Sequence, residues 1–204
     1  MDDINSEKNS VIEAINKKKP ELEPWLNRDI WKDYEKKDGY HSYYVDEESG
    51  LRSIKSEIVI NTTMKEIFDY VVECNYKQNY DKLLDHCKQI IKFDDNYQLC
   101  YYNYKGKLLI SNRDMYSAVY TKYDENESEI FCTNYVNLEK YPTVYKVERA
   151  ELIYAGWKFK KVEGGIHALY YTLADMHLNQ MLVNTTLGEV ARQVIKLKEI
   201  LEKK

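Results

Sequence analysis

From residue 88 to residue 176 the chain alternates apolar and polar positions almost without pause, and it then closes with one amphipathic helix. The alternation predicts strands over 88–94, 97–105, 113–123, 129–137, 144–154, 157–163 and 166–176. They are punctuated by Asp94-Asp95-Asn96, Lys105-Gly106, Asp124-Glu125-Asn126, Pro142, Gly156 and Gly164-Gly165. From Thr185 to Lys203, Leu187, Val190, Ala191, Val194, Ile195 and Leu201 form one helical stripe, leaving Glu189, Arg192, Lys196 and Lys203 to solvent. A large antiparallel sheet has an apolar face that must be covered, and this last helix is the one element long enough to do it. A strongly curved sheet gripping a single helix leaves an enclosed space instead of a solid core. That expectation constrains the chain more than any short motif does.

The N-terminal part fits the same plan. Val11, Ile12 and Ile15 mark a helix over about residues 4–19, stopped before Pro20. Turn signals at Asp38-Gly39 and Ser49-Gly50 then divide residues 31–60 into three antiparallel strands, with Ile54, Ile58 and Ile60 on one face of the third. Thr63 and Glu66 form a capping box for a helix carrying Ile67, Phe68, Val71 and Val72. A shorter helical segment follows with Tyr80, Leu83 and Leu84 on one side. Without repeats or linkers, the 204 residues read as one domain, a helix over 1–22 and a core over 23–204.

Composition excludes several classes. An apolar fraction of 44%, a charged fraction of 31% and a net charge of −4 describe a globular protein without the basic surface that nucleic acid requires. The start of the chain lacks a signal-peptide pattern, and no apolar run reaches the roughly 20 residues of a spanning helix. Cys74, Cys87, Cys100 and Cys132 contain no CxxC pair, so free thiols and a cytoplasmic location are expected. The four histidines have no metal-ligand spacing, no serine elbow or phosphate-cradling glycine loop occurs, and neither a cofactor nor a metal is expected. Asp175 and His177, two apart on a strand, are too few for a catalytic constellation. The 20 tyrosines against 4 phenylalanines suit surfaces half apolar and half wet, and also suit a compositional bias toward Lys, Asn, Ile and Tyr.

One stretch, Lys105 to Tyr116, combines two unlike features. Leu108, Leu109 and Ile110 are apolar yet follow a Lys105-Gly106-Lys107 turn, and Arg113 opens the strand behind them. The apolar run reads as a short buried strand or as a loop tip, and Arg113 as a cavity group or as a strand anchor paired with Asp114 or Glu148. Lys77 and Asp81, four apart on a helix, read as a solvated pair or as two halves of a polar site. Tyr102 and Tyr171 read as packing residues or as walls of an aromatic cage.

Three segments, "NYKQNYDKLL", "ISNRDMY" and "HALYYTLAD", stand in an order and spacing that resemble the START domain, the steroidogenic-acute-regulatory-protein-related lipid-transfer family, from about Pro24 to Lys203. The resemblance implies an α+β helix-grip fold of the START and Bet v1 type: a curved antiparallel sheet of about nine strands around a long C-terminal helix, enclosing a hydrophobic tunnel for one lipid. It is greatest to members that hold phosphatidylcholine or related phospholipids. It puts Lys77 and Asp81 near the head group, Tyr102 and Tyr171 around a choline, and Arg113 as a further head-group candidate. It also makes Lys105, Lys107, Leu108, Leu109 and Ile110, with Met181 and Leu182 at the start of the last helix, a membrane-facing lid. The chain departs from the pattern in having lysine at 77, where arginine would give a phosphate a planar fork. Met115 occupies one cage position, and the acid–arginine pair of sterol-type tunnels falls on Cys100 and Val119. The expected function is therefore non-catalytic: a monomer that binds one phospholipid, docks transiently on membranes and carries the lipid between them. The alternatives are a sensor for a sterol, ceramide or other apolar ligand, and an enzyme built on the same fold.

Overall fold

The computed structural model describes residues 2–106, 110–178 and 180–203, with only the backbone of Asp2, Gln180 and Met181. A helix, α1 (Asp2–Leu26), precedes β1 (Lys32–Lys37), β2 (Tyr40–Asp46) and β3 (Arg52–Ile60). Two short helices, α2 (Met64–Val72) and α3 (Cys74–Tyr80), lead to β4 (Leu84–Lys92), β5 (Tyr97–Tyr104), β6 (Asn112–Lys122) and β7 (Glu127–Asn134). The chain continues through β8 (Val147–Arg149), β9 (Glu151–Val162) and β10 (Gly165–Asp175) to α4 (Gln180–Ala191) and α5 (Gln193–Leu201).

Nine strands form one antiparallel sheet in the order β1-β2-β3-β10-β9-β7-β6-β5-β4, and the three-residue β8 runs parallel beside β6. The chain lays down one edge with β1 to β3, crosses by α2 and α3 to the far edge at β4, and returns until β10 closes against β3. This is the expected helix-grip fold. The capping box at Thr63 is present: its side chain accepts from the Glu66 backbone, and the Glu66 carboxylate reaches back to the Thr63 N–H.

Period-two alternation gives the sheet two apolar faces, each with its own cover. On the inner face, Ile58, Ile60, Met115, Val119, Ile130 and Trp157 meet Ile67 and Val71 of α2 and Val194, Leu197 and Leu201 of α5. On the outer face, Leu99, Ala118, Phe131, Tyr154 and Leu173 meet Val11, Ile15, Leu22, Trp25 and Leu26 of α1. The last helix is thus not the only cover.

The first helix is longer than expected because it runs through Pro20 and Pro24. Each proline removes a backbone donor at a cost of about 3 kcal/mol. Burial of Leu22, Trp25 and Leu26, at about 1.5–3 kcal/mol for each large side chain, offsets this. The C-terminal helix begins earlier than Thr185 and is interrupted at Arg192, whose backbone leaves helical values (φ −87°, ψ 7°). The Arg192 guanidinium there forms a two-pronged pair with Glu35 of β1 at 2.9 and 3.1 Å.

Gly156, expected to separate two strands, lies inside the single strand β9. A Cβ there would stand 2.0 Å from the Ile130 carbonyl oxygen and 2.6 Å from the Tyr171 hydroxyl. The glycine is a gap through which Tyr171 reaches the Ile130 carbonyl at 3.3 Å. Likewise the segment expected to be helical through Leu84 ends at Tyr80, and Leu84 opens β4.

Candidate functional site

Because the curved sheet and the C-terminal helices do not meet along their whole length, a cavity of about 270 Å³ remains between them. Its walls are side chains of alternate strand positions: Ile54 of β3, Tyr102 and Tyr104 of β5, Met115 of β6, Ile130 and Cys132 of β7, Trp157 of β9 and Tyr170 of β10. Leu182, Val183, Leu187 and Val190 of α4 form the roof.

One end carries the polar groups. Lys77 lines the cavity, and its ammonium donates to the Val71 carbonyl oxygen at the end of α2. Asp81 caps α3, with its N–H on the Lys77 carbonyl at 2.9 Å and its Oδ1 accepting from the Leu83 N–H at 3.1 Å. Burial pushes the Asp81 carboxyl up to about 6, against the opposing effect of the Leu83 and Leu84 N–H groups, Lys77 and the Gln193 side chain. Burial likewise raises Tyr80 to about 12 and pushes Tyr102, Tyr104 and Tyr170 well up, so their hydroxyls are neutral donors and acceptors at every physiological pH. The cavity therefore offers the Lys77 ammonium, one carboxyl that changes charge near pH 6, and a ring of phenols around an apolar middle.

The mouth lies beside this group, because the Lys105 N–H donates to the Leu83 carbonyl at 2.9 Å, next to Asp81. Lys105, Gly106 and Ile110 from the β5–β6 connection face Leu178, Leu182 and Val183. Arg52 and Asp175 stand beside them. Arg113 ties the two sides together: its guanidinium donates to the Met176 carbonyl at 3.0 Å, to the Ser111 carbonyl and to the His177 carbonyl, and pairs with Glu148 at 2.7 Å. His177 has a left-handed backbone (φ 50°), and its N–H donates to Asp175 Oδ1 at 2.8 Å, so the Asp175–His177 pair closes a turn.

The START domain family model matches residues 19–198. The chain belongs to the START domain family. Membership carries lipid binding with it, and the ligand class is a matter for the cavity. The fold is similar to that of human StAR-related lipid transfer protein 5, with a TM-score of 0.79 and 16% identity over 98% of this chain and 97% of the other. It is also similar to human STARD10, with a TM-score of 0.70 and 16% identity over 90% of this chain and 81% of that one. A StAR-related lipid transfer protein fragment from Xanthomonas axonopodis gives a TM-score of 0.71 and 16% identity over 85% and 99% of the two chains. No curated protein matches the sequence.

Within this START domain, Lys77, Asp81, Tyr102 and Arg113 all line the cavity. Lys77 and Asp81 come from α3 and its cap, whereas Arg113 opens β6 opposite Tyr104 and is engaged by Glu148 and three carbonyls. Arg113 both lines the cavity and pairs with Glu148, one of the partners the strand-anchor reading names, while Asp114 pairs with Arg149 at 2.7 Å.

Tyr171 is a correction. It lies on the outer face, buried against Trp25 beneath α1, and does not reach the cavity. Its neighbour Tyr170 takes the inward position, because Ile166 and Ala168 fix the inward parity of β10. Adjacent tyrosines on a strand always face opposite ways, and the isoleucine four residues earlier was the available signal.

Of the lid residues, Lys105, Ile110 and Leu182 line the mouth. Lys107, Leu108 and Leu109 lie outside the described residues, and of Met181 only the backbone is described. Sequence reasoning missed Arg52, Tyr80, Tyr104 and Gln193, which come from four different elements and share no motif. All four cysteines are free thiols. Among the described residues no three of His, Cys, Asp and Glu gather as metal ligands, and no helix is long and apolar enough to cross a membrane.

Proposed function

We propose that the chain binds one phospholipid, with its phosphate toward Lys77 and its acyl chains in the apolar middle of the cavity, and moves it between membranes without catalysis. The observation that carries this reading is Lys77 itself, a cation lining an apolar cavity, with its ammonium on the Val71 carbonyl and Tyr80 and Asp81 as neighbours. A buried ammonium favours an anion, and a phosphate supplies one. At the mouth, Ile110 and Leu182 beside Lys105 and Arg52 suit contact with an anionic lipid surface, where each basic residue contributes about 1 kcal/mol.

The task is thermodynamic. Exposing some 30 methylenes to water at about 0.8 kcal/mol each opposes spontaneous transfer by roughly 20 kcal/mol or more. A cavity that replaces water removes most of that barrier. At about 270 Å³ the cavity lies just below the roughly 300–1,000 Å³ of pockets that enclose drug-sized ligands, so two acyl chains require α4 to move outward from the mouth. The same volume supports a second reading, a single-chain lipid whose carboxylate or phosphate meets Lys77.

Native mass spectrometry of the protein purified from a lipid-containing extract tests the proposal. One phospholipid per chain, lost in Lys77→Met, is the expected result. A bound fatty acid or lysolipid would select the second reading. An empty chain that moves no labelled lipid between vesicles would refute both.

A further inference from the structure

All four cysteines converge on the inner face behind Lys77, although the sequence scatters them over α3, β4, β5 and β7. In the β4–β5 ladder Cys87 stands opposite Tyr102 and Cys100 opposite Gln89, so the two thiols are diagonal neighbours on one face. Val119 is paired with both Gln98 and Cys132, which puts Cys132 on the same face two strands along. Cys74, at the start of α3, is laid over this patch, with its thiol within hydrogen-bonding reach of Cys100 and Cys87. Lys77, one turn further along α3, brings its ammonium alongside Cys74, Cys87 and Cys132. Nothing in lipid binding uses the Cys74, Cys87 and Cys100 thiols, and the group does not have a metal-holding arrangement.

Geometry singles out Cys74. Diagonal cross-strand residues stand about 7–8 Å apart, their Cβ atoms somewhat closer, whereas a disulfide needs Cβ atoms about 3.5–4.5 Å apart, so Cys87 and Cys100 are poorly placed to join each other. Cys74 lies between them on a separate element and within reach of both. It is also half-buried, as is Cys87, while Cys100 and Cys132 are buried. Hydrogen bonds from the Cys100 and Cys87 thiols, with the Lys77 charge nearby, pull the Cys74 thiol below its ordinary value, in the direction that favours the reactive thiolate.

We infer that Cys74 is a peroxide-sensitive thiol that closes a disulfide with Cys100 or Cys87, fastening α3 to the sheet behind the cavity. The Cys74 thiolate attacks one oxygen of hydrogen peroxide; the O–O bond breaks, the sulfur becomes a sulfenic acid, and water leaves with the thiol proton. The thiol of Cys100 or Cys87 then attacks that sulfur, the S–S bond forms and water leaves. The oxidant is hydrogen peroxide, which reaches the half-buried Cys74 from solvent. Because Lys77 is carried by the same helix turn, oxidation fixes the position of that cavity-lining cation; this consequence rests on the proposed lipid reading, whereas the thiol chemistry does not.

The test uses the lipid-free, fully reduced chain and maps its peptides after treatment with hydrogen peroxide. A loss of two hydrogens, a peptide joining Cys74 to Cys100 or Cys87, and reversal by dithiothreitol are expected. Cys74→Ser should abolish the cross-link and Cys132→Ser should leave it. The double variant Cys87→Ser/Cys100→Ser should instead trap a dimedone-reactive sulfenic acid at Cys74. A Cys74 that stays reduced while other thiols oxidise, or a cross-link that persists in Cys74→Ser, overturns the inference.

Discussion

Replacing Asp81 with asparagine removes a charge that the fold disfavours, and the structure sets both the size and the pH window of the effect. Asp81 is 7% exposed, and burial raises its carboxyl from 3.8 to about 6. In the folded state the proton is held more tightly than in the unfolded chain. Between about pH 4 and pH 6 the unfolded chain therefore gains ionisation free energy that the folded one does not, and stability falls as pH rises through this window. Above it the full penalty is present, about 3 kcal/mol for a shift of about two units.

Asparagine keeps an oxygen to accept the Leu83 N–H but gives a weaker hydrogen bond, by about 1 kcal/mol. The net gain expected for Asp81→Asn is about 2 kcal/mol at pH 7.5, which for a domain of this size raises Tm by roughly 4–8 °C. Near pH 4 the gain should vanish, because the wild-type carboxyl is then protonated in the fold. Urea unfolding at pH 7.5 and pH 4 checks both halves. Equal effects at the two pH values, or a loss at pH 7.5, would refute the reasoning and show that Lys77 holds the Asp81 charge in place.

Three other substitutions separate structure from site. Gly156→Ala puts a methyl group against the Ile130 carbonyl and the Tyr171 hydroxyl, and should destabilise by roughly 1–3 kcal/mol or more in urea unfolding. Tyr171→Phe should lower stability by about 1 kcal/mol through the lost bond to Ile130 and leave lipid binding intact, whereas Tyr170→Phe should change lipid affinity with little loss of stability. Arg113→Lys cannot reproduce the fork that spans Met176, His177 and Glu148, and should lower stability by about 1–3 kcal/mol. Hydrogen exchange in that variant should speed up at residues 176–178 before it does elsewhere.

Much of the fold is legible because period-two patterning and turn residues act locally. The three N-terminal strands and the Thr63 cap were readable on those grounds. What was misread depended on contacts across the sheet. Pro20 and Pro24 are ordinary stop signals, overridden because Trp25 and Leu26 have an outer face to bury against. Gly156 signals a break, yet it is there to let a tyrosine from the neighbouring strand pass.

The site shows the same division. Lys77 lies on α3 and Asp81 caps it, so the two could be paired from their spacing, and both line the cavity. Tyr170 and Tyr171 differ only in parity, and the parity of the whole strand decides between them. Gln193 approaches Asp81 from the far end of the chain, and no local pattern points to it.

The sheet's two faces have different thermodynamic duties. The outer core under α1 is filled by protein alone, so its contribution is the same whether the cavity is loaded or empty. A carrier must pass through its unloaded state on every cycle, and a fold held together only around its cargo would come apart at each delivery. With α1 as ballast on the convex side, cargo adds a mass-action increment to an already folded chain. How firmly this domain holds its passenger and how firmly it holds itself are thereby set on opposite sides of one sheet.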